Sequence, residues 1–500
     1  MSDASLRQQL REALAMVVSL QAENEQLRER NNELAQQVAA LTDKVATLRG
    51  EASRDSSNSS KPPSSDRIET RKTRAQRRAE ARANAKEAKR SPGKQPGQAG
   101  NHLARRDPDE TLEYRPVTCR GCGAALGRDS VCGQVTRQVI DLPKVEPIVT
   151  DHVAYRCRCS CGEETLAEFP PAARAPVCYG PEVRALGLYL LDRQHLPYER
   201  AAELIEDVLG VKVSTGWLCA LQEEAAKLLG PFIVRLKALL GEADVLCADE
   251  TGTAVGTTKH WVHTVTTGVL TLLAVHRSRG RQALEDIGVL GAYAGVLMHD
   301  GYASYDYLCA AHAQCHAHLV RHLKDVGQTD AYKAWTTDLA GVLFDAKVAA
   351  EAAAVKGRAK VGRIKAKRIR QRYDACLDAA FALLPEGEPP RRRHQGGWSI
   401  YQRQAWNLAT RMRRDRPDIL RLLDDTTIPA DNNAAERSLR MVKVHDKVSG
   451  TFHSLDVAKA FADVRSYIQT GAQNGLNRLD ILRQLFTDGP WIPPSPANTG

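Results

Sequence analysis

The first fifty residues carry leucine at every seventh position, namely Leu20, Leu27, Leu34, Leu41 and Leu48. The companion seam positions are Val17, Asn24, Asn31, Val38 and Val45, and no Gly or Pro interrupts the run before Gly50. Leucine on one seam with Val and Asn on the other predicts a parallel, two-stranded coiled coil over residues 1–50, because a buried Asn finds its partner only in matching register. A lone amphipathic helix packed on its own domain is the competing explanation; five successive leucines at strict spacing favour self-association. The periodicity then stops. SSNSSKPPSSD is too polar and Pro-rich to bury a core, RKTRAQRRAEARANAKEAKR reads as a helix only when its charge is neutralised, and SPGKQPGQAG is a further breaker-rich stretch. Residues 51–106 therefore read as a flexible basic linker.

A different pattern begins near residue 107. TRQVIDLPKVEPIVTDHVAYRC has the β-branched alternation of strands and lies between two groups of cysteine. Upstream stands Cys119-Arg-Gly-Cys122-Gly, a knuckle whose glycine lets two thiolates converge; downstream stands Cys157-Arg-Cys159-Ser-Cys161-Gly. Four thiolates in two such turns suit a structural Zn²⁺, so residues 107–175 read as a small zinc-binding module. Cys119, Cys122, Cys159 and Cys161 are the expected ligands, with Cys157 an alternative to Cys159, and Cys132 and His152 in reserve. Residues 176–240 turn helical: LPYERAAELIEDVLG and STGWLCALQEEAAKLLG meet at a turn containing Gly210, with Ser214 placed to cap the second helix. That pairing fits a helix-turn-helix DNA-binding region, although most such pairs are ordinary packing.

From Ala243 the period changes again. ADVLCADETGTAV reads as a buried strand ending at Asp249, KHWVHTVTTG and VLTLLAVHRSRG as a hairpin, RQALEDIGVL as a short helix, and GVLMHDGYASY as a strand ending at Asp300. Two carboxylates at neighbouring strand ends can hold a divalent cation through hard oxygen ligands. TIPADNNAAERSLRMVKVHDKVSG then opens a helix with Glu436 in its early turns. Arg440, Lys443 and Lys447 fall on the same face, and with Arg437 they form a basic stripe suited to a phosphate backbone. Asp249, Asp300 and Glu436 are the candidate catalytic and metal-binding triad, for two Mg²⁺ or Mn²⁺ ions in phosphoryl transfer. Acids alone discriminate poorly: Asp244, Glu250, Asp306 and Asp431 lie close in sequence.

Charge and length sharpen this picture. The chain has 500 residues, which calls for several units, and 70 Lys/Arg against 60 Asp/Glu give +10. Twelve Arg/Lys and three Glu fall between Arg67 and Arg105, with Arg77 and Arg78 at the centre, the footprint of a polyanion partner. The 12 cysteines include isolated ones such as Cys178, Cys247 and Cys376, which points to a reducing compartment. The polar start lacks a signal peptide's apolar segment, and no run approaches a membrane span. A soluble, cytoplasmic, nucleoid-associated protein is expected, with no membrane partner.

The residues resemble the insertion sequence 66 family of bacterial transposases. The likeness runs over nearly the whole chain, through the zipper, SSKPPSSD, QPGQAG, the paired cysteines, DET at Asp249, HDGYASYD at Asp300, QCHAHLVRHL at 314–323 and DNNAAERSLRMVKVHDKVSG at 431–450. His316 stands where the more usual form has Trp. The resemblance implies a ribonuclease H-like α/β catalytic domain in two parts, 241–328 and 426–488, around a helical insertion at 329–425, with a tail at 489–500. The family's catalytic acids map onto Asp249, Asp300 and Glu436. The whole is then a multidomain α+β protein: coiled coil, zinc module, helical DNA-binding region and catalytic domain. Its expected activity is metal-dependent cleavage and transfer of DNA strands at the element's terminal repeats. Its expected partners are that DNA and target DNA, a second copy through the zipper (a homodimer or higher oligomer), and small accessory proteins of the same element. Two alternatives remain at this point, a DNA-binding regulator whose ribonuclease H-like domain is inactive, and a nuclease that hydrolyses without joining.

Overall fold

The computed structural model describes Met16 and residues 23–31, 33–34, 103–143, 145–170, 173–390 and 398–494. The chain divides into two compact units, Met1–Lys144 and Val145–Gly500. In the first unit residues 23–31 and 33–34 are helical, with Leu27 and Leu34 exposed on the single chain. The rest of the leucine repeat and the basic linker, including Arg77 and Arg78, lie outside the described residues. Around Cys119 and Cys122 an antiparallel bridge, Thr118 with Ala125, closes a tight turn.

The second unit begins with a hairpin of β1 (Arg156–Arg158) and β2 (Glu164–Leu166), in which Cys157 pairs with Thr165. The strands expected over TRQVIDLPKVEPIVTDHVAYRC form only here, at its end. The reason is burial: Val139, Leu142, Ile148, Val149 and Val153 are all exposed, so alternation finds no apolar layer to cover it. Four helices follow: α1 (Pro181–Leu188), α2 (Tyr198–Leu209), α3 (Thr215–Leu228) and α4 (Gly230–Gly241). α2 ends where Gly210 takes φ +66°, and Ser214 caps α3 by accepting the Trp217 N–H, as the sequence predicts.

A five-stranded sheet carries the centre of the unit. It contains β3 (Val245–Val255), β4 (Thr258–Thr266) and β5 (Thr271–His276); then, after the short helix α5 (Arg281–Asp286), β6 (Val296–His299) and β7 (Ala311–Gln314). The spatial order is β5-β4-β3-β6-β7. β3, β4 and β5 form an antiparallel meander, whereas β6 and β7 run parallel to β3. One expectation is corrected: β3 does not end at Asp249 but runs on to Val255. Its polar second half is held because β4 pairs with it all the way to a two-residue turn, Gly256–Thr257, where Gly256 has φ +56°. β7 had no counterpart in the sequence pattern; four residues beside two histidines are too short to show a period.

After β7, α6 (His316–Val326) leads into the helical insertion, which holds α7 (Asp330–Val355), α8 (Arg363–Ala382), α9 (Ile400–Arg414) and the short α10 (Arg416–Ile419). The chain then returns through α11 (Asn433–Val448), α12 (Leu455–Gln473) and α13 (Arg478–Thr487). The two faces of the sheet are covered differently. Leu246, Ala248, Val265, Leu272 and Leu297 join the core made with α1–α4, α12 and α13, whereas Cys247, Met298 and Ala313 join the core of the insertion. Leu218 of α3 and Phe232 of α4 belong to the same apolar cluster as Leu246, so these helices are part of the sheet's own layer. The exposed positions of α3 are Thr215, Gly216, Ala220, Glu223, Lys227 and Leu228.

Candidate metal centre

Strand register brings the two aspartates together. β3 and β6 pair in parallel as Val245 with Val296, Leu246 with Leu297 and Cys247 with Met298; the same offset separates Asp249 from Asp300. Side chains alternate across a sheet, so Asp249 lies on the Cys247 side, the face that looks toward the insertion. Asp300 follows the last residue of β6. Its Oδ1 accepts the Tyr302 N–H at 2.8 Å, which fixes the carboxylate over the turn. Gly301 makes that turn feasible: its φ is +86°, and a Cβ there would lie 3.4 Å from the Gln314 side chain.

The third acid arrives on α11. Asn432, fully buried at its start, donates from Nδ2 to the Ala248 carbonyl at 2.7 Å, one residue before Asp249. Its backbone N–H donates to Cys315 Sγ at 3.2 Å. These two bonds pin the helix start between β3 and the end of β7, so that the Glu436 charge, one turn on, is felt at Asp249. Further along, Thr253 Oγ1 donates to Asp446 Oδ1 at 2.9 Å and Lys443 donates to the Gly252 carbonyl, tying α11 to β3 at its far end.

Asp249 sits in the field of the neighbouring acids. Burial pushes the Asp249 carboxyl up to about 7; the charges of Glu250, Asp300 and Glu436 add to the rise, and the Glu250 N–H opposes it. A buried carboxylate surrounded by like charges is costly unless a cation neutralises the group. Glu436 Oε1 is buried with no hydrogen-bond partner, as is Nδ1 of His318, which lies 3.7 Å from it. The carboxylates of Asp249, Asp300 and Glu436 are the donor type a hard divalent cation takes.

The sequence neighbours of the triad have other occupations. Glu250 points to the opposite face, where Tyr305 donates to Oε2 at 2.7 Å and Arg279 to Oε1 at 2.8 Å. Asp431 pairs with Lys347 at 2.8 Å, and Asp244 and Asp306 are exposed. His316 is buried beneath the insertion, its Nε2 2.8 Å from the Ile419 carbonyl, so it fills an anchoring position in the core. Sequence reasoning missed two groups: His318, and Arg411 on α9. Arg411 Nη2 lies 2.6 Å from His322 Nδ1, and its Nη1 approaches Gly301 beside Asp300. Only tertiary packing delivers an insertion residue there. Arg437, Arg440, Lys443 and Lys447 are all exposed on α11, opposite its buried Ala435, Leu439 and Val442. Lys443 also pairs with Asp446 at 3.5 Å.

The two cysteine turns share a construction. In one, Gly123 takes φ +75° and returns its N–H to the Cys119 carbonyl; in the other, Gly162 takes φ +93° and returns its N–H to the Cys159 carbonyl. The Cys119 thiol is held below its ordinary pKa by the N–H groups of Cys122 and Gly121, and the Cys159 thiol by the Cys161 N–H. Cys157 sits outside the second turn, within β1.

Comparison with known proteins places the chain. The family model described as "Transposase IS66 family" matches residues 176–460, more than half of the sequence. The chain belongs to the IS66 family of transposases. A second model, "zinc-finger binding domain of transposase IS66", matches residues 116–162, and a "Family of unknown function (DUF6444)" matches residues 7–104. An uncharacterized protein of Sinorhizobium fredii (strain NBRC 101917 / NGR234), y4qI, is 27% identical over 209 residues, 40% of this chain and 36% of that relative. The match thus spans about a third of the relative's length. These matches do not favour the alternative of a DNA-binding regulator with an inactive ribonuclease H-like domain. Among the described residues no helix is long and apolar enough to cross a membrane.

Proposed function

We propose that this chain cleaves and joins DNA at the ends of an insertion sequence, using Asp249, Asp300 and Glu436 to hold its divalent cations. The observation that carries the reading is the register that sets Asp249 on β3 beside Asp300 after β6, with Asn432 bonded to the Ala248 carbonyl at the start of the helix that carries Glu436; burial and the neighbouring acids push the Asp249 carboxyl up to about 7. The sheet order, an antiparallel meander followed by two parallel strands with acids on β3 and after β6, supports a ribonuclease H-like fold. Two Mg²⁺ or Mn²⁺ ions at such a triad supply an activated water or 3′-hydroxyl and neutralise the leaving oxygen. The protein's own part is positional. Tyr302 N–H fixes Asp300, Asn432 fixes the start of α11, and Arg437, Arg440, Lys443 and Lys447 present a cationic edge to a DNA backbone. In this reading Arg77 and Arg78 add sequence-independent affinity from the linker, the residues 1–50 pair two subunits so that both ends are processed together, and Zn²⁺ is held by Cys119, Cys122, Cys159 and Cys161. Accessory proteins of the element and a cytoplasmic, nucleoid-associated location belong to the same reading.

The test is Mg²⁺- or Mn²⁺-dependent cleavage and strand transfer on DNA carrying the element's ends. Asp249→Ala, Asp300→Ala and Glu436→Ala should each lower the rate by about 10³-fold or more while DNA binding is retained, the scale for losing a charge-stabilising group at a reacting centre. Full activity in any one of the three would remove that residue from the triad. Binding without cleavage by the wild type, even with the element's other proteins added, would sink the chemistry.

A further inference from the structure

The half-buried pair His318 and Glu436 is the strongest feature that the triad leaves unexplained. His318 stands on the first turn of α6 and Glu436 on the first turn of α11; Nδ1 of one and Oε1 of the other are 3.7 Å apart. Both atoms are shielded from solvent and neither has a hydrogen-bond partner. The separation is too long for a hydrogen bond, whose donor and acceptor lie within roughly 3.2 Å. It suits two donors on one ion, since metal bonds of roughly 2.1 Å each let a cation span up to about 4.2 Å between ligands. Leaving two buried polar atoms unpaired is costly, and a shared cation would satisfy both.

Resting on the reading of Glu436 as a cation ligand, we infer that His318 is a further ligand of the same ion, giving that position one nitrogen donor among oxygens. Cys315 completes a cluster whose donor atoms lie within 4.8 Å of one another, but its Sγ already receives the Asn432 N–H at 3.2 Å. It is a positioning residue, holding the starts of α6 and α11 together so that His318 meets Glu436. An imidazole ligand shifts the preference from Mg²⁺, which favours all-oxygen shells, toward Mn²⁺, which accepts nitrogen more readily.

The experiment is Mn²⁺ binding to the full-length, zinc-loaded chain with end DNA, read by titration and by pulsed electron paramagnetic resonance for directly bound ¹⁴N. Wild type should show the nitrogen coupling. His318→Gln should lose it and bind Mn²⁺ at least about tenfold more weakly, the lower bound for disturbing a ligand set. His318→Asp should recover affinity without the nitrogen signal, and circular dichroism should show each variant folded. Mn²⁺ binding that weakens in Asp249→Asn and Glu436→Gln, with no nitrogen coupling in wild type, would overturn the role of His318 and leave the triad standing. Mn²⁺ binding indifferent to Asp249→Asn and Glu436→Gln would overturn the triad, and this inference with it. A sulfur-to-metal charge-transfer band with Co²⁺ that vanishes in Cys315→Ser would replace it with a thiolate site.

Discussion

At the scale of single residues, Asp249 gives the sharpest expectation. Its carboxyl is raised to about 7, chiefly by burial. The folded protein therefore keeps a proton that the unfolded chain releases above the ordinary carboxylate range. The stabilising contribution is present at pH 4 and is lost as the pH rises through 7. With Mg²⁺ and Mn²⁺ omitted, Asp249→Asn, which cannot ionise, should exceed the wild type in stability at pH 8 by about 1–2 kcal/mol, after discounting for solvent screening, and match it near pH 4. Urea titrations at the two pH values check this; equal stability at pH 8 would contradict the crowding of the acids. The cysteines give a second expectation. Cys159→Ser should lose bound zinc and Cys157→Ser should keep it, measured as metal per chain after gel filtration, because Cys159 lies in the glycine-closed turn and Cys157 in a strand. The reverse result would exchange the two ligands.

Among elements, the edge of the sheet is protected in an unusual way. β5 is an outer strand, and two of its outward N–H groups meet hydroxyls on α12 instead of another strand: Thr271 N–H donates to Thr470 Oγ1 at 3.1 Å and Leu273 N–H to Ser466 Oγ at 2.8 Å. A covered edge cannot recruit a foreign strand. Ser466→Ala leaves the Leu273 N–H buried and unpaired, which should cost about 1–3 kcal/mol in urea unfolding. A change under a few tenths would mean that water or a shift of α12 replaces the bond. The same helix reaches inward, where Gln469 Nε2 donates to Ser438 Oγ on α11 at 2.6 Å, so the edge cover and the Glu436 helix are coupled.

For the whole molecule, self-association is the property that the single chain leaves open. Leu27 and Leu34 are 61% and 49% exposed on the helical residues of the first unit, an apolar seam that a second copy would bury. Replacing both by Glu should convert a dimer to a monomer in sedimentation experiments without altering the fold of residues 145–500. A wild-type chain that sediments as a monomer would assign the heptads to packing within their own unit. Loss of pairing should also depress coupled cleavage of two ends far more than cleavage of one.

Much of this was legible in the chain before folding. Periodicity marked α2, α3 and the β4-β5 hairpin, because each buries one face at its own repeat; the helical insertion was expected only from the family resemblance. Ser214 and Gly210 marked their helix ends through local backbone chemistry. The acids at 249, 300 and 436 were proposed from strand and helix patterns together with long family-like motifs. Local pattern could not fix where a strand stops when its partner protects it, so β3 was expected to end six residues early. Nor could it separate Asp249 from Glu250, which differ only in the face of β3 they occupy. Register between β3 and β6, the Asn432 bond to Ala248, and the approach of His318 and Arg411 all join residues far apart in sequence. Those contacts depend on how the sheet and insertion pack, and only the tertiary structure decided them.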